Sequence, residues 1–266
     1  MRVAIAGASG RMGQTLIDMV TASPTMLLTA ALEQKGNPSI GREAGAFLGK
    51  TTGVTVSDDI EKAVRASDVF IDFTRPAGTL AHAKVCGEVG CAMVIGTTGF
   101  KDEEKRALSA FGKKIPIVWA SNMSVGVTVL KQLIETAAQK LRGYDIEIVE
   151  MHHKHKVDAP SGTSLLLGEA AAKGVGVALK EKAVFTREGI IGERPAGTIG
   201  FATLRGGDVV GDHTVMFCGE GERIELSHRA SSRKNFGAGA LLAAAFVAQR
   251  RAENKPGIYS MEDVLF

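Results

Sequence analysis

The sequence predicts an α/β protein in two parts. A parallel sheet covered by helices on both faces comes first, and a second α+β domain with an open mixed sheet follows. Three observations carry this reading. Short β-branched runs alternate with helical patterns as far as residue 122. The strands among them are continuously apolar rather than alternating, the mark of a sheet buried on both sides. Beyond residue 122 a long helix and a shorter one are followed by a run of strands separated by Gly-rich turns. In order, residues 3–6 read as a strand, 12–21 as a helix and 27–32 as a second strand. Strands at 54–56, 69–73, 92–95 and 115–119 follow, with helices at 60–66, 79–89 and 102–111 between them. Pro24, Pro38 and Pro76 then fall in loops. In the second part, residues 125–141 form an amphipathic helix, 144–151 an alternating strand, and a helix starts near Ser161. Strands at 197–204, 209–217 and 223–230 come next, with Arg205–Asp208 (RGGD) as a hairpin turn between two of them, and the helix 237–254 ends before Pro256.

Composition narrows the function classes. With 266 residues, 45% apolar and 23% charged, the chain can bury one large core or two modest ones and is not disordered. Its 32 basic and 29 acidic side chains leave a net charge of +3, too small to argue for nucleic acid or an anionic membrane. Cys86, Cys91 and Cys218 are too few for a disulfide scaffold and read as small buried hydrophobes. The first residues run straight into a strand, and the most apolar stretch, 238–248, is too short to span a bilayer. A cytoplasmic protein is expected.

Three groups of residues point to chemistry. Gly7, Ala8, Ser9, Gly10, Arg11, Met12 and Gly13 lie directly between a strand and a helix. Such a loop lets backbone N–H groups approach a pyrophosphate at a positive helix terminus, as in a Rossmann-type domain. Glu33, 20 residues beyond Gly13 and at the end of the second strand, stands where an acid would bind the adenosine ribose. The loops after later strands form the second group: Asp72–Pro76, Gly96-Thr97-Thr98-Gly99-Phe100, and Ala120-Ser121-Asn122-Met123. Ligands of open parallel sheets bind outside the carboxyl ends of the strands, and these small, hydroxyl-bearing loops suit a nicotinamide.

The third group is EMHHKHKVDAPSGT, residues 150–163, with three of the six histidines in four consecutive positions beside two lysines. So basic a cluster repels itself unless an anion sits in it, which implies an anionic substrate. A histidine can deliver a proton at neutral pH. Ser161, Gly162 and Thr163 open a helix whose first N–H groups make a carboxylate seat. The HHxH spacing lacks the i, i+4 arrangement of a helical zinc motif, so no metal is expected.

The segments VAIAGASGRMG, GTTGF, ASNMSVGV, EMHHKHKVDAPSGTS and RGGDVVGDHTVMF resemble the dihydrodipicolinate reductase family over essentially the whole chain. These are the 4-hydroxy-tetrahydrodipicolinate reductases of bacterial lysine and diaminopimelate synthesis. The resemblance implies a dinucleotide-binding domain at 1–123, a substrate-binding and oligomerisation domain at 124–232, and a helix at 233–266 returning to the cofactor domain. It also implies a homotetramer, a small dicarboxylate substrate, and NADH or NADPH as cofactor. Carried over by position, residues 7–12 hold the pyrophosphate and Glu33 the ribose. Gly96, Thr97 and Thr98, with Ala120, Ser121, Asn122 and Met123, line the nicotinamide. His152 is the implied proton donor and Lys156 the second catalytic residue, while His153, Gly162 and Thr163 bind substrate carboxylate. Relatives that accept NADPH well often carry Arg just after the ribose acid; here that place is Gln34. Lys154 stands where Arg is common, keeping the charge but not the planar fork.

Overall fold

The first apolar run becomes β1 (Arg2–Ala6), and both of its faces are covered because Val3 and Ile5 point one way while Ala4 and Ala6 point the other. The structure, a computed structural model, describes residues 1–266. It divides into two units, Met1–Val125 with Arg233–Phe266, and Gly126–Ser232.

In the first unit, β1 leads through α1 (Arg11–Thr21) to β2 (Leu27–Leu32) and the short β3 (Val56–Ser57). The chain then passes α2 (Ile60–Arg65) and returns to the other side of β1 as β4 (Val69–Asp72). α3 (Pro76–Val89), β5 (Ala92–Ile95), α4 (Asp102–Phe111) and β6 (Pro116–Trp119) continue outward. The sheet has seven parallel strands, and its switch point lies between β1 and β4. One face packs on α1 and on α8 (Lys234–Ala252), whose Ala240, Ala243, Ala244 and Val247 meet Leu16, Val94 and Val118. The other packs on α2, α3 and α4 through Val64, Ala83, Cys86 and Leu108. Gly239 of α8 has no room for a side chain: a Cβ there would lie 1.6 Å from the Met123 carbonyl oxygen. The helix thus seats against the loop that follows β6.

Two elements escaped the sequence reading here. Residues Gly257–Tyr259 form β12, which pairs parallel with β6 at the sheet edge, and α9 (Met261–Leu265) follows it under a Ser260–Asp263 capping box. Three residues are too few to display a period, so the Pro256-Gly257 turn signal ends the helix without announcing a strand. Pro76 is not in a loop either. It is the first residue of α3, where its missing N–H costs nothing and its fixed φ suits the helix.

In the second unit, α5 (Val125–Lys140) precedes β7 (Asp145–His152); α6 (Gly162–Val175), the short α7 (Leu179–Lys182) and β8 (Ala183–Val184) follow. β9 (Ile199–Arg205), β10 (Gly211–Gly219) and β11 (Glu222–Ala230) complete a mixed sheet of order β11-β10-β7-β9-β8. Its core joins Ile134 and Ala138 of α5 and Leu167 and Ala171 of α6 to Ile146, Ile148, Val215 and Phe217. The RGGD segment is not a hairpin. β9 runs parallel to β7 and β10 antiparallel to it on the opposite side, so the chain must cross the end of β7. In crossing it bonds the backbone beyond that end: Gly206 N–H donates to the His152 carbonyl at 3.0 Å and His153 N–H to the Val209 carbonyl at 2.8 Å. A turn signal marks a reversal, but strand order comes from pairing that no local pattern encodes.

Candidate active site

The glycine loop of the first unit is shaped by contact with itself. Gly7 takes a φ of +69°, and a Cβ on Gly13 would lie 2.0 Å from the Gly7 carbonyl oxygen, so only hydrogen fits there. Gly10 caps α1 without a side chain, and Arg11 and Met12 start the helix. The Ala8 side chain is buried, so that residue offers backbone alone. Glu33, at the end of β2, turns its carboxylate onto the loop, accepting from Ser9 N–H at 2.8 Å, Ser9 Oγ at 2.5 Å and Asn37 Nδ2 at 3.1 Å. Arg233, preceding α8, is pushed below the ordinary arginine range by burial and then by the charge of Arg11. Neither guanidinium has a carboxylate partner, so a pyrophosphate would relieve two crowded cations as well as bind the helix terminus. The cradle fits a dinucleotide.

Thr97, Thr98, Ala120 and Ser121 come together around a cleft of about 420 Å³ that also includes Gly99, Phe100, Lys105 and Trp119, whereas Gly96 does not line it. They follow β5 and β6 at their carboxyl ends. Thr97 is buried: its hydroxyl receives a bond from Thr79 at 2.9 Å and points to Asp72 at 3.3 Å. Asp72, wholly buried at the end of β4, also accepts from Thr74 N–H at 2.8 Å, Thr74 Oγ1 at 2.6 Å and pairs with His82 Nδ1 at 2.7 Å. Burial pushes its carboxyl up, but His82 and Thr74 outweigh this and hold it below the usual range. One carboxylate therefore ties together the strand-end segments after β4 and β5 and helix α3. Asn122 turns back to accept from Ser124 N–H at 2.8 Å, whereas the Met123 side chain is buried in the core, leaving only its backbone for a ligand.

In the second unit, the alternation of β7 places Ile146, Ile148, Glu150 and His152 on the buried face, so an apolar row ends in two ionisable groups. Glu150 Oε2 pairs with His152 Nδ1 at 2.5 Å, Arg205 donates to both carboxylate oxygens at 2.9 Å, and Ser161 N–H donates to Oε1 at 3.0 Å. Burial raises the Glu150 carboxyl, but Arg205, then His152 and Ser161, bring it below its ordinary value. His213 of β10 meets the His152 ring edge-on at 5.1 Å and bonds Ser161 Oγ at 3.0 Å. Burial first and the His152 charge second lower it to about 4, so it is neutral at pH 7. Lys156 is held to Asp158 at 2.7 and 2.8 Å. Ser161 caps α6, and Gly162 and Thr163 are the first two residues of that helix. His153 is half-buried beside the exposed His155, their rings 6.2 Å apart, and Lys154 is exposed. Glu150, His152 and His213 do bring three metal-ligating atoms within 4.8 Å, but Arg205, Ser161 and the His152 ring already occupy both oxygens of the carboxylate.

The sequence alone assigns no role to Glu150, Arg205 or His82, and it marks Asp72 only as part of a strand-end loop. For Glu150 a signal existed: it sits in phase with Ile146 and Ile148 and His152 on one face of a strand.

Residues 1–123 match the family described as "Dihydrodipicolinate reductase, N-terminus", and residues 126–265 the one described as "Dihydrodipicolinate reductase, C-terminus". The chain belongs to the dihydrodipicolinate reductase family. A 4-hydroxy-tetrahydrodipicolinate reductase of Ralstonia nicotianae is 56% identical over 266 residues, covering 100% of this chain and 99% of the relative. One from Nitrosospira multiformis is 55% identical over 100% and 97% of the two chains. The solved structure of dipicolinate-bound dihydrodipicolinate reductase from Paenisporosarcina sp. TG-14 is similar at a TM-score of 0.75, with 27% identity over 100% of this chain and 99% of that one. Within this reductase family, the parallel-sheet unit is thus the one that carries the N-terminal domain signature.

Proposed function

We propose that the chain reduces 4-hydroxy-tetrahydrodipicolinate to tetrahydrodipicolinate with NADH or NADPH, in lysine and diaminopimelate biosynthesis. The observation that carries this reading is the buried His152 held by the Glu150 carboxylate, in a chain 56% identical to a named reductase. A bound nicotinamide supplies the hydride. Residues 7–12, Glu33 and Gln34 would hold the adenosine half, and residues 96–98 and 120–123 the nicotinamide half. The N–H groups of Gly162 and Thr163, with His153, would bind substrate carboxylate, where charge-assisted bonds orient the ring. His152 would give the proton that balances hydride addition, so that the 4-hydroxyl leaves as water. Lys156 would stabilise the charge that develops on the ring nitrogen. No helix is long and apolar enough to cross a membrane; a cytoplasmic homotetramer built through the second unit is part of the same reading.

Pyridine-2,6-dicarboxylate, flat and doubly anionic, tests the seat. Steady-state inhibition is expected to be competitive with the dicarboxylate substrate and not with NADH; competition with NADH alone would move the anion site out of the block 150–163.

Cofactor choice rests on the loop after β2. Glu33 would meet the 2′-phosphate of NADPH with like charge, and Gln34 supplies no cation, so that the exposed Lys35, Arg42 and Arg11 are the candidates to offset it. NADH is expected to be used at least as well as NADPH. Gln34→Arg should shift the ratio of kcat/KM values toward NADPH by about 1 kcal/mol, as for a partly exposed charge pair. A wild type that strongly prefers NADPH would show that one of those three cations already binds the phosphate.

A further inference from the structure

We propose that Glu150 is a positioning residue for His152, fixing which ring nitrogen exchanges the proton, and that Gly211 is the gap that leaves that nitrogen uncovered. The proposal rests on the reading of His152 as proton donor. Period-two geometry puts Glu150 and His152 on one face of β7, and the Glu150 carboxylate meets Nδ1 at 2.5 Å. A buried carboxylate is costly unless paired. Here donors from three places hold it as an anion: the two Arg205 nitrogens of β9, the Ser161 N–H before α6, and the ring itself. A carboxylate only accepts, so the nitrogen it meets is an N–H, and Nε2 is left as the one that exchanges a proton.

The ring is also confined. His213 lies edge-on to it at 5.1 Å with planes at 74°. Beside Nε2 stands Gly211, the first residue of β10, where a Cβ would lie 2.9 Å from Nε2 and 3.3 Å from Cδ2 of His152. Any side chain there would press on the proton-bearing edge. The charged and titratable groups around the ring are Glu150 from β7, Arg205 from β9, His213 from β10 with His228 opposite it on β11, and Lys156 with Asp158 from the segment after β7.

The test compares wild type with Glu150→Gln, Gly211→Ala and His152→Gln in the full-length protein. Steady-state rates, NADH binding by fluorescence and side-chain ¹⁵N spectra of the histidines are read for each, with the His152 signals assigned by their loss in His152→Gln. Glutamine keeps the shape of Glu150 but removes the charge and adds a donor where Arg205 and the ring already donate. The expected result is a protonated Nδ1 in wild-type His152 that loses its hydrogen-bonded proton signal in Glu150→Gln. With it, kcat should fall at least about tenfold while NADH affinity is unchanged and substrate KM stays within about threefold. Gly211→Ala should lower kcat while keeping the Nδ1 proton signal. An unprotonated Nδ1 in wild-type His152 overturns the proposal even if a variant fails to fold. So does an unchanged His152 spectrum in a Glu150→Gln protein whose loss lies all in KM, since the carboxylate then merely anchors α6. Retained turnover in His152→Gln removes the donor reading and the proposal with it, whereas loss there with full activity in Glu150→Gln overturns the proposal alone.

Discussion

His152→Gln is expected to lower kcat by roughly 10²–10⁴-fold, the span that a positioned acid contributes. Glutamine fills much of the same space and can still bond the Glu150 carboxylate, so the buried anion keeps a donor and the β7 backbone keeps its bonds to residues 206–209. What is lost is a transferable proton. NADH binding, which the glycine loop and the strand-end loops of the parallel-sheet unit would provide, should stay near wild type. The result is therefore a fall in kcat with little change in cofactor affinity, measured by turnover and by fluorescence titration of NADH. If the variant keeps more than about a tenth of wild-type kcat, the proton comes from another group.

Gly13→Ala should strike the other half of the reaction. A Cβ at that position would lie 2.0 Å from the Gly7 carbonyl oxygen, 2.7 Å from its carbon and 2.9 Å from Ala8 Cα. All three are backbone atoms, so the clash cannot be relieved by swinging a side chain. Either α1 or the loop must move, and the loop holds the N–H groups that would meet the pyrophosphate. Overpacking of this kind costs about 1–3 kcal/mol, which corresponds to roughly a five- to 150-fold rise in the NADH dissociation constant if the strain is expressed at the loop. Substrate KM and dipicolinate inhibition, which the second unit would govern under the proposed assignment, should change little. Unaltered NADH affinity would mean that the loop does not seat the pyrophosphate.

The glycine loop, Glu33 and the strand-end loops are legible in the sequence because each is local: a strand, a turn and a helix terminus lie within a dozen residues. The basic block 150–163 is legible for the same reason. What holds these parts in place is not local. Arg205 reaches Glu150 across 55 positions and His213 reaches Ser161 across 52, and both contacts depend on which strands flank β7. Reading RGGD as a hairpin puts the wrong strand beside β7, and with it hides the partners of His152. Asp72 was noticed only as part of a loop; that it binds Thr74, Thr97 and His82 follows from β4 and β5 being neighbours with α3 folded over them. The buried face of β7 is the exception. Its alternation could have placed Glu150 beside His152 without any structure.

Oxidation of NADH by the purified protein, followed at 340 nm with 4-hydroxy-tetrahydrodipicolinate present and absent and with and without EDTA, tests the central claim most directly. The account predicts substrate-dependent oxidation, one NADH consumed per substrate reduced, with no loss on adding the chelator. NADH bound but not consumed would make the chain a dinucleotide sensor with an acidic effector, and activity abolished by EDTA would give the Glu150, His152 and His213 cluster to a metal; either result contradicts the account.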